Sequence, residues 1–350
     1  MHIVSQAACR VDLAGATLDI WPLYLFHHNP ITVNFAVDVL TRCEIREHAT
    51  PEILLISEDT GRSDRFASIA ELHEAKRFEH ALAGLLLRHF MPVGGALPSG
   101  GFTLRTHSSS PAGAGISGSS ALMIASACAL AAFTGKTIDR EQIRVIAQNI
   151  EAQLIRVPTG CQDYYPALYG GVSAIHLRPD GIRREALLVD PAEIERRFVV
   201  AYTGAPRQSG INNWEVFKAH IGNDERVHSN FDSIAAIANG MRRALIAADW
   251  GAVTTLLREE WALRKSNAPG ITTPLIDALV DATRQRGALA AKVCGAGGGG
   301  CMVIQIEPEA RASVEASIAA LGATVLTSRV RREGVTVDAM ETEVAASAIA

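Results

Sequence analysis

"SSSPAGAGISGSSALMIAS", residues 108–126, passes from small and polar residues directly into an apolar run. Gly113, Gly115 and Gly118 let the backbone turn tightly and approach a ligand with no Cβ in the way. Ser119 and Ser120 stand at the start of a predicted helix through "ALMIASACALAAFTG", placed to cap its first turn and to offer hydroxyls. First-turn amides have no helical acceptor, so together with the helix dipole they favour a bound anion. One serine hydroxyl also suits a Mg2+ bridging two phosphates. The segment lacks a GK[ST] ending and fits a Walker A loop poorly. Two readings stay open here: a phosphate-holding loop, and a glycine-rich turn ahead of an ordinary capped helix.

A second glycine-rich element, "KVCGAGGGGCMVI" at 292–304, places Gly295 and Gly297 through Gly300 between two short apolar strands. A hairpin needs one or two glycines, and four in a row carry an entropic penalty. The run implies backbone packed closely against a ligand or another part of the chain. "CRVDLAGATLDIWPLY" adds Arg10, Asp12, Thr17 and Asp19 around Gly15. Polar groups this close to an apolar strand need partners, supplied by a polyhydroxylated ligand or by an internal bridge between Arg10 and a nearby aspartate. Glu151 lies late in a predicted helix, and Asp163 follows in "PTGCQDYYPALYGG" among small and aromatic neighbours. Carboxylates beside phosphates hold Mg2+ or orient an attacking hydroxyl, although most isolated carboxylates are solvated surface.

The 350 residues suffice for two domains, and 48% hydrophobic with 20% charged residues is ordinary for a soluble enzyme. A formal charge of -4 provides no broad basic field, so neither nucleic acid nor an anionic membrane is an expected partner. Six cysteines without a CxxC are too sparse for a disulfide framework and read as buried thiols. The eleven histidines show no HExxH and no clustered spacing that suggests zinc. Neither a signal peptide nor a membrane span is indicated, which makes the cytoplasm the expected location.

Strands are predicted in "HIVSQAACRVDLAG", "PITVNFAVDVLTRCEIRE", "PEILLISED" and "GFTLRTHS", with helical periodicity across 67–90. Asp139 is a plausible cap for a helix over "DREQIRVIAQNIEAQLIRV", and a hairpin turns at Pro179-Asp180-Gly181. From about residue 190 the order is strand, several helices, strand, glycine loop, strand, helix and strand. That order suits an α+β layer and predicts two domains, 1–190 and 191–350.

Taken together, "RVDLAGATLD", "PAGAGISGSSA" and "KVCGAGGGGCMVI" resemble, in order and position, the motifs of the GHMP family of small-molecule kinases. The resemblance implies an α+β two-domain fold: an N-terminal domain like domain 2 of ribosomal protein S5 and a ferredoxin-like C-terminal domain. It implies ATP with its triphosphate over Pro111, Gly113, Ala114, Gly115, Ile116, Ser117, Gly118, Ser119 and Ser120. Ser119 or Ser120 and Glu151 would lie near Mg2+, Asp163 would be the catalytic base or hydroxyl-orienting group, and Arg10 would also be catalytic. Arg10, Thr17, Asp19, Asp163, Arg207, Gly297 and Gly298 would face the substrate.

Finer features are similar to the heptose-phosphate and related sugar kinase branch: "CQDYYPALYGG", "AYTGAPRQSG" and "EEWALRKS". They make a sugar or sugar phosphate the expected acceptor, D-glycero-D-manno-heptose 7-phosphate first, with Ser209 and Lys265 as weaker phosphate contacts. Alternatives are an unphosphorylated sugar, a mevalonate-type acceptor, or a silent nucleotide-binding regulator, in a monomer or homodimer. Lys292 reads as a strand-end charge. The chain departs from the branch in "AGATLD", where AGGGTD or AGGGSD is usual, and in "GISGSSA", where GLGSSSA is common. Ser117 and Gly118 thus appear interchanged.

Overall fold

The computed structural model describes residues 1–94, 100–205, 209–327 and 329–340, with 209–212 described by their backbone alone. Its strands are β1 (His2–Ala14), β2 (Ile31–His48), β3 (Ile53–Ser57), β4 (Ser63–Phe66), β5 (Gly101–Ser108), β6 (Val172–Arg178), β7 (Gly181–Leu187), β8 (Phe198–Tyr202), β9 (Ala288–Val293), β10 (Cys301–Ile306), β11 (Thr324–Leu326) and β12 (Thr336–Met340). The helices are α1 (Ile69–Glu74), α2 (Ala81–Phe90), α3 (Gly118–Phe133), α4 (Arg140–Ile155), α5 (Tyr164–Tyr169), α6 (Pro191–Arg197), α7 (Ser209–Ile221), α8 (Glu225–Ile246), α9 (Trp250–Ser266), α10 (Pro274–Arg284) and α11 (Arg311–Ala320).

One sheet runs β12-β1-β2-β5-β3-β4, with β6 and β7 continuing from β2. β2 is long enough to pair β1 along nearly its whole length while giving its two ends to different strands, β6 on Ile31–Phe35 and β5 on Thr41–His48. The second sheet has order β11-β8-β10-β9, antiparallel throughout. With helices between β8 and β9 and α11 between β10 and β11, this is the ferredoxin-like arrangement predicted. β12 pairs antiparallel with β1, from His2↔Met340 to Gln6↔Thr336, so the chain returns to the first sheet after leaving the second.

α3 shows why apolar content on every side marks a central helix. Only Gly118, Ser119, Cys128 and Ala132 of its residues escape full burial, and it packs against β1 and β2. α4 starts at the predicted Asp139, which forms a capping box with Gln142. The stretch at 67–90 departs from its periodicity and forms two helices, with a break at Ala75–His80. The cause is tertiary. Arg88 donates to the carbonyls of Leu72, His73 and Ala75 at the end of α1. The Asp64 carboxylate accepts from the amides of Glu79 and His80 ahead of α2. Both helix ends are thereby satisfied by groups distant in sequence.

Candidate active site

The glycine-rich loop before α3 is gripped from behind. The Ala114 carbonyl accepts from the Cys301 amide at 2.6 Å, the Gly115 carbonyl from Arg10 Nη1 at 2.7 Å, and the Ile116 carbonyl from the Arg10 amide at 2.9 Å. Three successive carbonyls are engaged by the protein, which keeps their negative ends away from an anion bound in front. No side chain caps the first turn of α3, so its amide donors stay available. Ser117, the N-cap, adopts φ 61°, and a Cβ at Gly118 would lie 2.9 Å from Ser110 Cβ. The interchange of serine and glycine follows from this geometry: the left-handed residue is tolerated at 117, while 118 must be bare to pass Ser110.

Ser119 and Ser120 do not cap the helix, as the sequence suggested. Both hydroxyls turn to Glu151, Ser119 Oγ to Oε1 at 2.6 Å and Ser120 Oγ to Oε2 at 2.8 Å, and Tyr164 donates to Oε2 at 2.6 Å. Burial raises the Glu151 carboxyl above its usual range, although the three hydroxyls oppose the shift. This all-oxygen set, with a carboxylate backed by hydroxyls, fits a hard cation such as Mg2+.

Asp163 occupies the N-cap of α5, but its side chain caps nothing. It is held instead by Arg10, whose Nε lies 2.8 Å and Nη2 2.7 Å from Asp163 Oδ1. Burial alone would lower the Arg10 pKa, yet Asp163 and Asp12 outweigh it and keep the guanidinium charged. Arg10 is 2% exposed and Asp163 23%, so the cation is sealed while the carboxylate meets solvent. Asp163, Glu151, Pro111, Gly113, Gly115 and Ser117–Ser120 line one cleft of about 430 Å3. The uncapped glycine-rich loop, the oxygen cluster and the candidate base therefore share a single space.

Ala114 and Ile116 back the loop, and Arg10, Thr17 and Asp19 stand behind the cleft wall. Asp19 Oδ2 accepts from the Gln162 amide at 2.8 Å, next to Asp163, while Oδ1 has no hydrogen-bond partner among the described residues. Burial and the neighbouring Asp163 charge raise Asp19 to about 7. Gly297 and Gly298 abut the chain itself: the Gly298 amide donates to the Ile271 carbonyl at 2.8 Å, and a Cβ at Gly297 would lie 2.4 Å from that oxygen. A Cβ at Gly300 would come within 2.6 Å of the Ala114 carbonyl, so the second glycine run serves as a bed for the first. Lys265 lines a different cavity, of about 370 Å3, between α9, α10 and β9. Arg207 lies outside the described residues, as does the side chain of Ser209.

Two groups escaped the sequence reading. The far end of the cleft is walled by Ser57, Asp59, Thr60, Arg62, Glu79 and His80, from the β3–β4 turn and the approach to α2. No motif marks them. The other is a sealed charge cluster. Lys292 is no strand-end charge: its Nζ lies 2.5 Å from Asp12 Oδ2 and 3.1 Å from Glu260 Oε2, and all three side chains are 0% exposed. Glu260 also pairs with Arg264, which reaches the Ala16 carbonyl at 3.0 Å. Burial would raise Asp12, but Lys292, then Arg264 and Arg10, hold it low. Of the two readings left open for the first motif, an internal bridge from Arg10 is present, but to the distant Asp163, and Asp12 pairs with Lys292.

Comparison with known proteins agrees with this architecture. Residues 78–171 match the GHMP kinases N terminal domain and residues 241–323 the GHMP kinases C terminal domain. The chain belongs to the GHMP kinase family and is a small-molecule kinase, with ATP as the phosphoryl donor that family uses. It is 24% identical over 318 residues to D-glycero-alpha-D-manno-heptose 7-phosphate kinase of Campylobacter jejuni, covering 87% of this chain and 90% of that one. It is 26% identical over 243 residues to mevalonate kinase of Thermococcus sibiricus, covering 68% and 69%. Among solved structures, the D-glycero-D-manno-heptose 1-phosphate kinase of Bacteroides thetaiotaomicron superposes with a TM-score of 0.78 at 21% identity, over 97% of this chain and 100% of that one. Among the described residues no helix is long and apolar enough to cross a membrane.

Proposed function

We propose that this kinase transfers the terminal phosphoryl group of ATP to a hydroxyl of a sugar or sugar phosphate, D-glycero-D-manno-heptose 7-phosphate being the best-matched acceptor. The carrying observation is that Asp163, fixed by a buried arginine, opens onto the same cleft as the uncapped loop at 111–120. The loop amides take the polyphosphate. Asp163 accepts a hydrogen bond from the acceptor hydroxyl, aligns its oxygen on the terminal phosphorus and receives the proton as the new P–O bond forms and the bond to ADP breaks. Ser119, Ser120 and Glu151 would hold Mg2+, which when bound neutralises phosphate charge. Arg10 acts as a positioning residue, tying Asp163 to the Gly115 carbonyl. Thr17 and Asp19 shape the acceptor side from behind the wall.

The heptose preference rests on the branch-like segments around Asp163 and on the coverage of the Campylobacter relative, which exceeds that of the mevalonate kinase. An acceptor panel with ATP and Mg2+, read by coupled ADP release and product mass, tests it. Heptose 7-phosphate is expected to give the highest kcat/KM, above free hexoses, hexose phosphates and mevalonate. A higher value for any other acceptor overturns the preference. Asp163→Asn is expected to lower kcat about 10^2- to 10^4-fold with little change in the KM for ATP. Near-wild-type turnover in that variant overturns the base assignment.

A further inference from the structure

The eleven histidines carry no metal spacing in the sequence, yet the fold gathers three of them from separate segments. His27 follows the short 3-10 turn Leu23–Phe26, His220 lies at the end of α7, and His228 lies in the first turn of α8. One nitrogen from each ring lies within 4.8 Å of the others. His27 Nε2 faces His220 Nε2 at 2.8 Å, and the His220 and His228 ring centroids are 3.9 Å apart. Tetrahedral ligand nitrogens with bonds of about 2.0–2.1 Å stand about 3.4 Å apart, so the His27 and His220 nitrogens would separate by about half an ångström while the His228 nitrogen closes in from within 4.8 Å.

The outer partners favour the same reading. His27 Nδ1 lies 2.7 Å from Asp232 Oδ1, and His228 Nε2 lies 2.9 Å from the His220 carbonyl. Each contact takes the N–H of one ring nitrogen and leaves the other with its lone pair free. This is how carboxylates and carbonyls orient metal-binding imidazoles. With Nδ1–H of His27 directed at Asp232, the facing pair is completed by a proton on His220 Nε2. His220 Nδ1 is then left buried and without a hydrogen-bond partner among the described residues. A cation between the facing nitrogens would take both Nε2 lone pairs, with the proton moved to His220 Nδ1, which would then need an acceptor of its own. Phe231 stacks on His27 at 5.6 Å between centroids, and Phe26 packs on His220, so apolar walls fix the rings.

We propose that His27, His220 and His228 form a binding site for a Zn2+-class transition-metal ion, oriented by Asp232 and the His220 carbonyl. Nitrogen donors select such an ion over Mg2+, which separates this site chemically from the oxygen cluster at Glu151. Three protein ligands leave a fourth position for water. The ion would clamp the segment after the first motif to the α7–α8 helices. α7 also carries Asn213, which accepts from Thr17 Oγ1 at 3.3 Å and lines the cleft.

The test uses untagged, chelator-treated full-length protein titrated with Co2+, followed by visible d–d absorption and displacement with Zn2+. One equivalent is expected to give the intense bands of a four-coordinate site, lost on adding Zn2+. His228→Gln, at a half-buried position, is expected to abolish the bands. Asp232→Asn is expected to weaken binding about 10- to 100-fold while leaving the metal-free melting temperature unchanged, because its side chain is 65% exposed. Zn2+ is expected to raise the Tm of the wild type but not of H228Q. Absence of the bands, or bands of equal strength and affinity in H228Q and D232N, overturns the site.

Discussion

Arg10 and Asp12 stand two residues apart on β1, and each belongs to a carboxylate–cation pair with a distant part of the chain. The pairs differ in what is left in contact with water. In Arg10–Asp163 the cation is buried and the carboxylate opens onto the cleft. In Asp12–Lys292 both partners are sealed, and Glu260 shares the ammonium. Exposure of the acid alone gives a group that a ligand can reach while its orientation stays fixed. Closure of both ends gives a strap between β1 and β9 that no ligand can reach. Similar residue types thus yield a chemical tool in one place and a structural tie in the other, with burial as the deciding variable.

The strap is the place to expect the largest energetic effect. Lys292→Met leaves Asp12 buried without its ion-pair partner and Glu260 with Arg264 alone, and is expected to cost about 3–5 kcal/mol in urea unfolding. Adding Asp12→Leu is expected to recover much of that loss, since apolar replacement of a whole buried pair is often neutral. A loss below about 1 kcal/mol for K292M would break the distinction between tie and tool.

Asp19 supplies a buried carboxylate with no ion pair among the described residues, and it sharpens the contrast. Its folded pKa of about 7 exceeds the unfolded value near 4, so the folded state holds the extra proton between them. Its contribution to stability is present in full below about pH 4 and is lost as the pH rises towards 7, by up to about 4 kcal/mol. Asp19→Asn is expected to remove that slope. Thermal unfolding of the wild type and D19N at pH 4.5, 6 and 7.5 should converge at the acid end and favour the variant at the neutral end. Parallel curves would mean that Asp19 stays ionised without a cation.

The smallest expected effect concerns the geometry of the tool. Arg10→Lys keeps the charge but loses the double contact to Asp163 and the reach to the Gly115 carbonyl. kcat is expected to fall about 10- to 100-fold with a change of less than about threefold in the KM for ATP, as fits a slightly misplaced base. Unchanged kcat in steady-state assays would show that charge alone holds Asp163.

The sequence disclosed what is contiguous. The loop at 111–120, the capping box at Asp139 and the glycine bed at 295–300 each announce themselves within a dozen residues, because one local backbone geometry dictates their composition. Element order gave the second half as an α+β layer, and the family resemblance specified it as ferredoxin-like. The pairings were not. Arg10 and Asp163 are 153 positions apart, and Asp12 and Lys292 are 280 apart. No periodicity or spacing rule links such positions, so the need of Arg10 and Asp12 for partners was readable but the partners themselves were not. The break between α1 and α2 was hidden for the same reason, since Arg88 and Asp64 satisfy those helix ends from outside. The three histidines meet only after two helices and an N-terminal turn converge, so their separation in sequence signalled nothing.

The return of β12 to the edge of β1 has a bearing on synthesis. A ribosome delivers β1 first and its outer neighbour only after more than three hundred further residues. Throughout that interval β1 offers an open row of amides and carbonyls on one side. The second sheet, made in between, must finish or step aside before the last strand can seal the first, so the nascent chain carries an unshielded edge for most of its translation.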